Sequence, residues 1–379
     1  METIIKKVQT KGDLKRFIRF NYEMYKDNPY SVPDLYEDML STFSAKGNPA
    51  FEFCEADYFL AYQEGKIVGR VAAIINHKAN KKWGKKAVRF GWIDFIDDPN
   101  VSRKLMETVE TWGHERGMET LEGPLGFTDM DAEGMLIEGF DQISTMATIY
   151  NYPYYPRHME ALGLEKEVDW VEFKLQVPKE VPEVYMRVAD TVKRRYGLRI
   201  RKLKSVREIR KTGIGYAIFN LINEAYEPLF GYSEMTRAQI DKYIKTYLQV
   251  LDLEMVTLIE KEDSGELVAV GISMGSMSTA LQKAHGKLFP FGWWHLLKAL
   301  KWKHAPQLDL LLIAVKPELQ GKGVNSLLFA DLLPIYIRKG YKWGESNPEL
   351  EINDKVQAQW KFLDGRTHKR RRCYKKVIG

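Results

Sequence analysis

A glycine-containing turn in the second half of the chain has the chemistry of an anion-binding site. It reads Gln320-Gly321-Lys322-Gly323-Val324-Asn325 and lies between an apolar run and a helical pattern. Glycines let the backbone bend sharply and approach a ligand closely. The first N–H groups of the following helix then point outward, at the positive end of the helix dipole. We therefore expect this turn to bind an anionic group.

Two common nucleotide-binding turns do not fit this stretch. No Gly-Lys-Ser/Thr triplet follows the turn, as a phosphate-binding P-loop would require. The turn also lacks the GxGxxG pattern of the dinucleotide-binding folds. The alternative interpretation that stays open is an ordinary corner between a strand and a helix that happens to contain two glycines.

The elements on either side of the turn are defined by their hydrophobic patterns. Leu308–Val315 is apolar apart from Asp309 and is bounded by Pro317, which is typical of a strand buried on both faces. After the turn, apolar residues recur at helical spacing, at Val324, Leu327, Leu328, Leu332 and Ile335. A buried strand and an amphipathic helix would thus hold the turn in place.

Strand, turn and helix together resemble the pyrophosphate loop of the GNAT family of N-acyltransferases, whose signature is Q/R-x-x-G-x-G/A. Gln320 and Gly323 match it, whereas Asn325 stands where the family has glycine or alanine and would crowd the phosphate slightly. The resemblance implies acetyl-coenzyme A or another acyl-coenzyme A as co-substrate. It implies that the backbone of Ala314 and Val315 pairs with the pantetheine arm and that Asn353, which opens the last helix, contacts the cofactor. The pyrophosphate would be bound by the N–H groups of Gln320, Gly321, Lys322, Gly323, Val324 and Asn325, with Lys322 adding charge.

The same resemblance implies where catalytic groups would lie. The family commonly uses a strand-end carboxylate that acts through water as base, and a tyrosine of the last helix as acid to the leaving thiolate. Glu345 and Asn347, at the end of a predicted strand, are candidates for the first role. The tyrosine position falls on Trp360, which has no acidic proton, so Tyr374 is the candidate substitute. A surface strand end at Glu345 and a plain turn at Asn347 are the structural alternatives.

Length and composition favour a folded cytoplasmic enzyme. The 379 residues suggest two or three domains, and 45% hydrophobic residues are enough for sizeable cores. No apolar stretch approaches the roughly 18 residues of a membrane span, and the N-terminus has no signal-peptide pattern. Cys54 and Cys373 lie too far apart to suggest a disulfide framework or a metal site. The net charge of +6 allows an anionic ligand without requiring nucleic acid.

The order of the predicted elements repeats along the chain, and in each half it resembles the GNAT fold. We therefore predict an α/β (α+β) protein of two tandem GNAT-like domains, each a mixed, mostly antiparallel sheet flanked by helices. The first would cover 1–177 and the second 183–379, ending in a strand at Arg371–Lys376, with a proline-containing linker at 178–182. Asp97-Asp98-Pro99-Asn100 occupies the phosphate-loop position of the first copy. Its carboxylates would repel a pyrophosphate, so this copy is predicted to be degenerate.

Two further segments could carry function. Gly123–Gly139 concentrates carboxylates in a D-x-D-x-E-G pattern that hints at calcium but lacks the closing glutamate of the EF-hand loop, so a solvated loop is preferred and no metal site is predicted. An insertion at 278–306 interrupts the second copy and includes a short basic helix with aromatic residues. It could cover the acceptor site, contact lipid, or pack against the first copy; a lid or packing is preferred.

The sequence thus predicts an N-acyltransferase whose second half binds acyl-coenzyme A and transfers the acyl group to an amine by direct attack. A small-molecule or peptide amine would be the acceptor. One rival is a non-catalytic ligand-binding pseudoenzyme, favoured by Trp360 and Asn325 but opposed by the intact turn. The other rival is an aminoacyl-tRNA-dependent transferase of related tandem fold. The basic run His368–Arg372 has no interleaved aromatic residues, which disfavours nucleic acid as a partner.

Overall fold

The chain forms two compact units whose segments alternate along the sequence. The computed structural model describes residues 1–248, 250–302 and 305–378. Unit 1 comprises Met1–Val171, Met277–Leu296 and His368–Gly379, and unit 2 comprises Glu172–Ser276 and Leu297–Thr367. The compact units are therefore not two continuous halves. The boundary at 178–182 stays a prediction about how the two halves fold.

Unit 1 takes most of its elements from the first 171 residues. Its strands there are β1 (Ile4–Lys7), β2 (Cys54–Gln63), β3 (Lys66–Asn76), β4 (Ala87–Phe95), β5 (Thr120–Gly123) and β6 (Met135–Glu138). Its helices there are α1 (Lys11–Met24), α2 (Tyr36–Thr42), α3 (His77–Trp83), α4 (Pro99–His114) and α5 (Tyr154–Ala161). The pairs from β1 to β4 are antiparallel, and β4 pairs with β5 in parallel. Buried residues of β3, β4 and α4 form the main core.

Strand β7 (Glu165–Gln176) begins in unit 1 and ends in unit 2. Unit 2 continues with α6 (Glu183–Tyr196), β8 (Leu198–Arg201), α7 (Val206–Thr212), α8 (Ile214–Tyr226), α9 (Arg237–Thr246), β9 (Val256–Lys261) and β10 (Leu267–Gly275). After α10 (Ser278–Ala284) and α11 (Gly292–Lys301) follow β11 (Gln307–Val315), α12 (Asn325–Arg338), β12 (Trp343–Ser346), β13 (Glu349–Leu350), α13 (Asp354–Gln357) and β14 (Arg366–Val377). Short 3₁₀ turns cover Pro49–Glu52, Leu253–Met255, Pro317–Leu319 and Ala358–Leu363.

The topology of unit 2 repeats that of unit 1. Its strands follow the order β12-β11-β10-β9-β8, in which β8 to β11 pair antiparallel and β11 pairs with β12 in parallel. Helix α12 connects that parallel pair, as α4 connects β4 and β5 in unit 1. Both units are thus mixed, mostly antiparallel sheets flanked by helices, and the predicted fold class is confirmed.

The C-terminal strand is the main correction to the predicted arrangement. The sequence order assigns it to the second copy, but β14 pairs with β5 from Tyr374 to Val377 and with β6 from Arg370 to Arg372. It therefore belongs to unit 1 from His368 onward. Strand pairing is decided by long-range register, which the local pattern of a strand does not contain.

The first part of the insertion packs into unit 1. The Ser278 hydroxyl donates to the Ser144 carbonyl at 2.8 Å, and the Gln282 amide donates to the carbonyls of Pro29 and Ser31 at 2.9 Å each. Helix α10 thus packs into unit 1, while a lid or packing role for the aromatic basic helix stays a prediction. The helices of the described part of the chain include none that is long and apolar enough to cross a membrane.

Candidate functional site

The turn between β11 and α12 has the backbone conformation that only glycine adopts easily. After the 3₁₀ turn at Pro317–Leu319, Gly321 and Gly323 have φ angles of +72° and +81°. Side chains other than glycine are strained at such angles. A Cβ atom on Gly323 would also lie 3.2 Å from Val192 of α6, whereas one on Gly321 would meet nothing within 4 Å. Both glycines are therefore required by the turn itself.

This turn presents backbone donors that have no acceptor. In the part of the chain that the structure describes, four N–H groups have no acceptor: those of Gly321, Gly323, Val324 and Asn325. Ser326 and Leu327, next along α12, instead donate to the carbonyls of Gly323 and Val324 at 2.9 and 3.0 Å. The start of α12 also has no side-chain cap. Acceptorless N–H groups at a helix start form an anion site.

The structure narrows the predicted set of six N–H donors. Gln320 and Lys322 donate their N–H groups to the carbonyls of Pro317 and Leu319, each at 3.3 Å, so these two are already used. Lys322 is exposed, and its ammonium lies 5.7 Å from the centre of the Tyr196 ring. It can still contribute charge. The predicted turn therefore supplies four free donors and one cation.

Asn325, where the sequence departs from the family signature, is held by a neighbour. Its amide nitrogen donates to the side-chain oxygen of Gln359 at 2.8 Å. Gln359 lies in the 3₁₀ turn that follows α13. The Asn325 side chain is thus held by that turn.

Strand β11 has an open edge just before the turn. Its parallel pairing with β12 stops at Leu310 and Ser346, and β11 carries a bulge relative to β10 at the same place. Beyond this point, in the described chain, β11 has a strand neighbour on the β10 side only. Residues 311–313 are half-buried rather than buried. The two parallel strands therefore diverge, which leaves backbone groups available along one edge.

The carbonyl groups at that edge accept hydrogen bonds from side chains. The carbonyl oxygens of Leu311, Ile313 and Val315 accept hydrogen bonds at 2.6, 3.1 and 3.0 Å. The donors are, in the same order, the Asn347 amide, the Tyr226 hydroxyl and the Gln320 amide. In this part of β11, the carbonyl of every second residue thus has a side-chain donor. An edge strand with filled acceptors and open N–H donors is prepared for a ligand that carries amide carbonyls.

This alternation shifts the predicted pantetheine contact by one residue. The N–H and C=O groups of one residue point to the same side of an antiparallel strand. Ile313 and Val315 therefore present their N–H groups to the open edge, and Ala314 faces β10, where it is opposite Val270. Ile313 and Val315 thus face the open edge and Ala314 does not, while the pantetheine contact itself stays a prediction.

Sequence reasoning missed a carboxyl group near this edge. Glu349, in β13, receives hydrogen bonds from the Trp360 ring nitrogen at 2.9 and 3.1 Å, one to each oxygen. Burial raises the pKa of Glu349 to about 8, although the hydrogen bonds from Trp360 and Ser346 oppose the rise. A carboxyl group with a pKa near 8 can gain and lose a proton under physiological conditions. Only its position after Asn347-Pro348 marked it in the sequence, and that pattern indicates a turn.

Tyr226 is the second residue that the sequence did not single out. It ends helix α8, and its hydroxyl reaches the Ile313 carbonyl as described above. Burial raises the pKa of Tyr226 to about 12, and the nearby charge of Glu349 adds to the rise. Tyr226 therefore stays protonated at neutral pH. Its hydroxyl thus lies at the open edge of β11.

The predicted catalytic residues fall in different environments. Glu345 is fully buried opposite Asp309, and the Gln307 amide donates to both carboxylates, at 3.1 and 3.0 Å. Asn347 caps the Leu311 carbonyl at the point where the strands diverge. Tyr374 is buried in the core of unit 1, and burial raises its pKa to about 12. Asn353 precedes α13, where its carbonyl accepts hydrogen bonds from Val356 and Gln357 at 3.1 Å.

Unit 1 has no comparable site at the start of α4. There the Asp98 carboxylate caps the helix, since it accepts from the Asn100 N–H at 2.8 Å. The Gln63 amide donates to the same carboxylate at 2.9 Å, and this hydrogen bond is the main reason that the pKa of Asp98 is lowered. A carboxylate thus occupies the position that an anion would need. That the first copy is degenerate stays a prediction, which this capped helix start supports.

Comparison with known proteins gives relatives of matching length. The chain is 26% identical over 381 residues to Protein YghO of Escherichia coli (strain K12), covering 99% of this chain and 95% of that protein. It is 27% identical over 383 residues to the bacterial ceramide synthase of Caulobacter vibrioides (strain NA1000 / CB15N), covering 98% and 96%. No protein-family model matches the chain.

A solved structure defines the fold. The tandem GNAT protein from the clavulanic acid biosynthesis pathway superposes with a TM-score of 0.58 at 12% identity, covering 100% of this chain and 99% of that one. Identity at this level supports the fold and not the activity. The chain therefore has the tandem GNAT fold, as the turn and the repeated element order suggested.

The pKa of Glu349 generates a prediction about stability. Because the native carboxyl holds its proton up to about pH 8 while the unfolded one loses it near pH 4.5, the native state binds more protons between these values. Stability should therefore fall as pH rises through this window, by at most about 1.4 kcal/mol per pH unit. Urea unfolding of the wild type and Glu349→Gln at pH 6.5, 7.5 and 8.5 measures this contribution.

Glu349→Gln should lack this part of the pH dependence. The free energy of unfolding of the wild type minus that of the variant should therefore decrease steadily as the pH rises. Glu351→Gln removes a charge two residues away and serves as the matched control, with the wild-type slope. A constant difference between wild type and Glu349→Gln across the three pH values would show that the Glu349 pKa is not raised.

Proposed function

We propose that this chain is an N-acyltransferase that moves an acyl group from acyl-coenzyme A to the amine of an acceptor. The observation that carries the proposal is the run of free N–H donors that extends from the open edge of β11 to the start of α12. A pyrophosphate and an adjoining chain of amides would use such donors together. Few other ligands combine both groups.

The residues present fit coenzyme A in two places. The N–H groups of Gly321, Gly323, Val324 and Asn325 would hold the pyrophosphate, and Lys322 would add positive charge. The N–H groups of Ile313 and Val315 would pair with the amide carbonyls of the pantetheine arm, as an added strand does at a sheet edge. Asn353 stays a predicted contact at the start of α13. Bound in this way, the co-substrate would supply the thioester.

Glu349 and Tyr226 are the groups we propose for proton transfer. The amine nitrogen attacks the thioester carbonyl carbon, the carbon–sulfur bond breaks, and an amide forms. The proton released by the amine would pass to the Glu349 carboxylate, directly or through one water. Tyr226, which stays protonated, would exchange its hydrogen bond to the Ile313 carbonyl for one to the leaving thiolate. Trp360 would hold the carboxylate in place, so its presence at the family's tyrosine position does not exclude catalysis.

The residues predicted from the sequence keep proposed roles of different kinds. Asn347 would maintain the divergence of the strands by its hydrogen bond to Leu311. Glu345, buried with Asp309 and Gln307, would support β12 beneath the site. A catalytic role for Tyr374 stays a prediction.

The acceptor class we propose is a long-chain amine, with a fatty acyl group as the donor. A ceramide is an amide of a fatty acid with a long-chain amino alcohol, so the name of the Caulobacter relative describes N-acylation of a lipid amine. That relative and this chain align over almost their full lengths. A cytoplasmic location follows from the proposed co-substrate, since coenzyme A thioesters are made inside the cell.

Amide formation tests the proposed function directly. The purified protein would be mixed with acetyl- or palmitoyl-coenzyme A and either a long-chain amino alcohol or a short amine, with thiol release and amide product followed together. We expect amide from the wild type. Gly323→Glu places a carboxylate among the free donors and should lower kcat/KM at least about tenfold, since each charge-assisted hydrogen bond contributes about 1.5–3 kcal/mol.

Gly65→Glu is the matched control, because Gly65 also has a positive φ, of +77°, in an open turn of unit 1. It should retain wild-type rates. Acyl-coenzyme A binding without amide formation from any amine would replace the enzyme with the pseudoenzyme alternative. Equal rates for Gly323→Glu and Gly65→Glu would refute the proposed site.

The role of Glu349 has its own test in the pH dependence of kcat/KM. We expect the wild-type rate to rise with pH toward a plateau above about pH 8, and Glu349→Gln to lose roughly 10²–10⁴-fold. Trp360→Phe keeps an aromatic ring but removes the donor that lowers this pKa, so its profile should move to higher pH. A Trp360→Phe profile identical to that of the wild type would exclude Glu349 as the titrating base.

A further inference from the structure

The second part of the insertion, Lys287–Trp302, exposes an unusual concentration of aromatic side chains. We call these residues the aromatic–lysine segment. Phe289 and Phe291 are each 73% exposed, and the exposed fractions of Trp293, Trp294 and Trp302 are 44%, 45% and 62%. Among the large hydrophobic side chains that are exposed in the described chain, Tyr247 is the one other aromatic residue. A soluble domain usually buries such residues, so their exposure here calls for a partner.

Helix α11, within this segment, is apolar but only partly buried: its leucines are half-buried and its two tryptophans are exposed. Of its residues Gly292 is the buried one. Trp293, Leu296, Leu297 and Leu300 recur at i, i+3, i+4 and i+7 and share one face. The adjoining face carries Trp294, Lys298 and Lys301, also spaced i, i+4 and i+7. Apolar and cationic faces are thus adjacent on one partly exposed helix.

The segment and the sequence on either side of it carry only positive charges. From Leu267 to Leu308 the sequence contains five lysines and not one carboxylate. This stretch therefore accounts for five of the six net positive charges of the chain. Lys287, Lys298 and Lys301 are exposed beside the aromatic residues. The remainder of the protein is almost neutral, so the charge is local and not a general property of the surface.

From these observations we propose that the aromatic–lysine segment docks on the surface of an anionic lipid bilayer. Tryptophan and phenylalanine partition into the boundary between headgroups and acyl chains, and lysines are attracted by anionic headgroups. Helix α11 has ten residues and is about 15 Å long, half the roughly 30 Å of a hydrocarbon core, so it lies in the interface and does not span it.

A second copy of the chain is the less favourable occupant. In a two-fold symmetric contact the same patch faces itself, so the lysines of one copy would lie against those of the other. Like charges brought together at an interface oppose association. An anionic bilayer instead complements the lysines and accepts the aromatic rings. The proposal goes beyond the proposed acyl transfer and uses none of the residues assigned to it.

Vesicle sedimentation tests this docking without donor or acceptor. The wild type would be titrated with vesicles of phosphatidylcholine alone and of phosphatidylcholine with 30% phosphatidylglycerol, at low and high salt. One variant is Phe289→Ser/Phe291→Ser/Trp293→Ser, and its control is Tyr247→Ser. The second variant is Lys298→Gln/Lys301→Gln, and its control is Lys46→Gln/Lys66→Gln, which changes two exposed lysines elsewhere. Circular dichroism establishes that all of them fold.

We expect the wild type to bind the anionic vesicles more tightly, by about tenfold or more, than the neutral ones. The aromatic variant should lose about tenfold or more on both vesicle types. The lysine variant and high salt should reduce binding to anionic vesicles alone, and both controls should behave as the wild type.

Three results would overturn the proposal. The first is a wild type that does not sediment with either vesicle. The second is an aromatic variant that binds as tightly as Tyr247→Ser. The third is concentration-dependent self-association of the wild type that the aromatic variant abolishes, which would assign this surface to a contact between copies. Acyl transfer to a water-soluble amine is measured for the same variants without vesicles. Because this assay does not depend on docking, it tests the proposed enzyme separately from the proposed membrane contact.

Discussion

The constraint on which the candidate site depends is the backbone hydrogen bonding of β11 after Leu310. A buried strand must pair its N–H and C=O groups, and here the neighbour on one side ends. Asn347, Tyr226 and Gln320 supply side-chain donors for the carbonyls that β12 no longer reaches. The N–H groups of the same edge are left for a ligand. The site is therefore built from backbone first, and its side chains serve mainly to hold the strand open.

Two titratable groups with raised pKa values belong to the same unit as this edge. Because β12 turns away, Glu349 comes to lie in a mostly enclosed position beside Trp360, where burial keeps its proton bound to about pH 8. Tyr226 is coupled to it through space and stays protonated. A proton acceptor and a proton donor of different strength thus occur next to an open strand edge. Unit 1 shares the topology, but Asp98 caps the equivalent helix start, so among the described residues the arrangement is found in unit 2.

How far the sequence leads depends on the range of the interaction. The turn was recognisable because positive φ angles require glycine at Gly321 and Gly323, and the flanking strand and helix follow from local hydrophobic spacing. The strands that pair with β14 could not be recognised, since the pairing depends on strands that are distant in the sequence. Glu349 and Tyr226 were missed because burial raises their pKa values, and burial of these two side chains cannot be predicted from the residues next to them in the sequence. The aromatic–lysine segment was visible as a pattern, but its exposure was not. A lipid amine acceptor and a lipid-binding segment would describe one reaction at a membrane surface, although the two proposals rest on different residues.

Hydrogen exchange of backbone amides with and without coenzyme A measures the central claim most directly. We expect the ligand to slow exchange at Gly321, Gly323, Val324 and Asn325 and at Ile313 and Val315, because these N–H groups would gain acceptors. Asn100, at the capped start of α4, should exchange at the same rate in both conditions. Unchanged exchange along β11 and the turn at saturating coenzyme A, or protection confined to α4, would contradict the assignment of the site to unit 2.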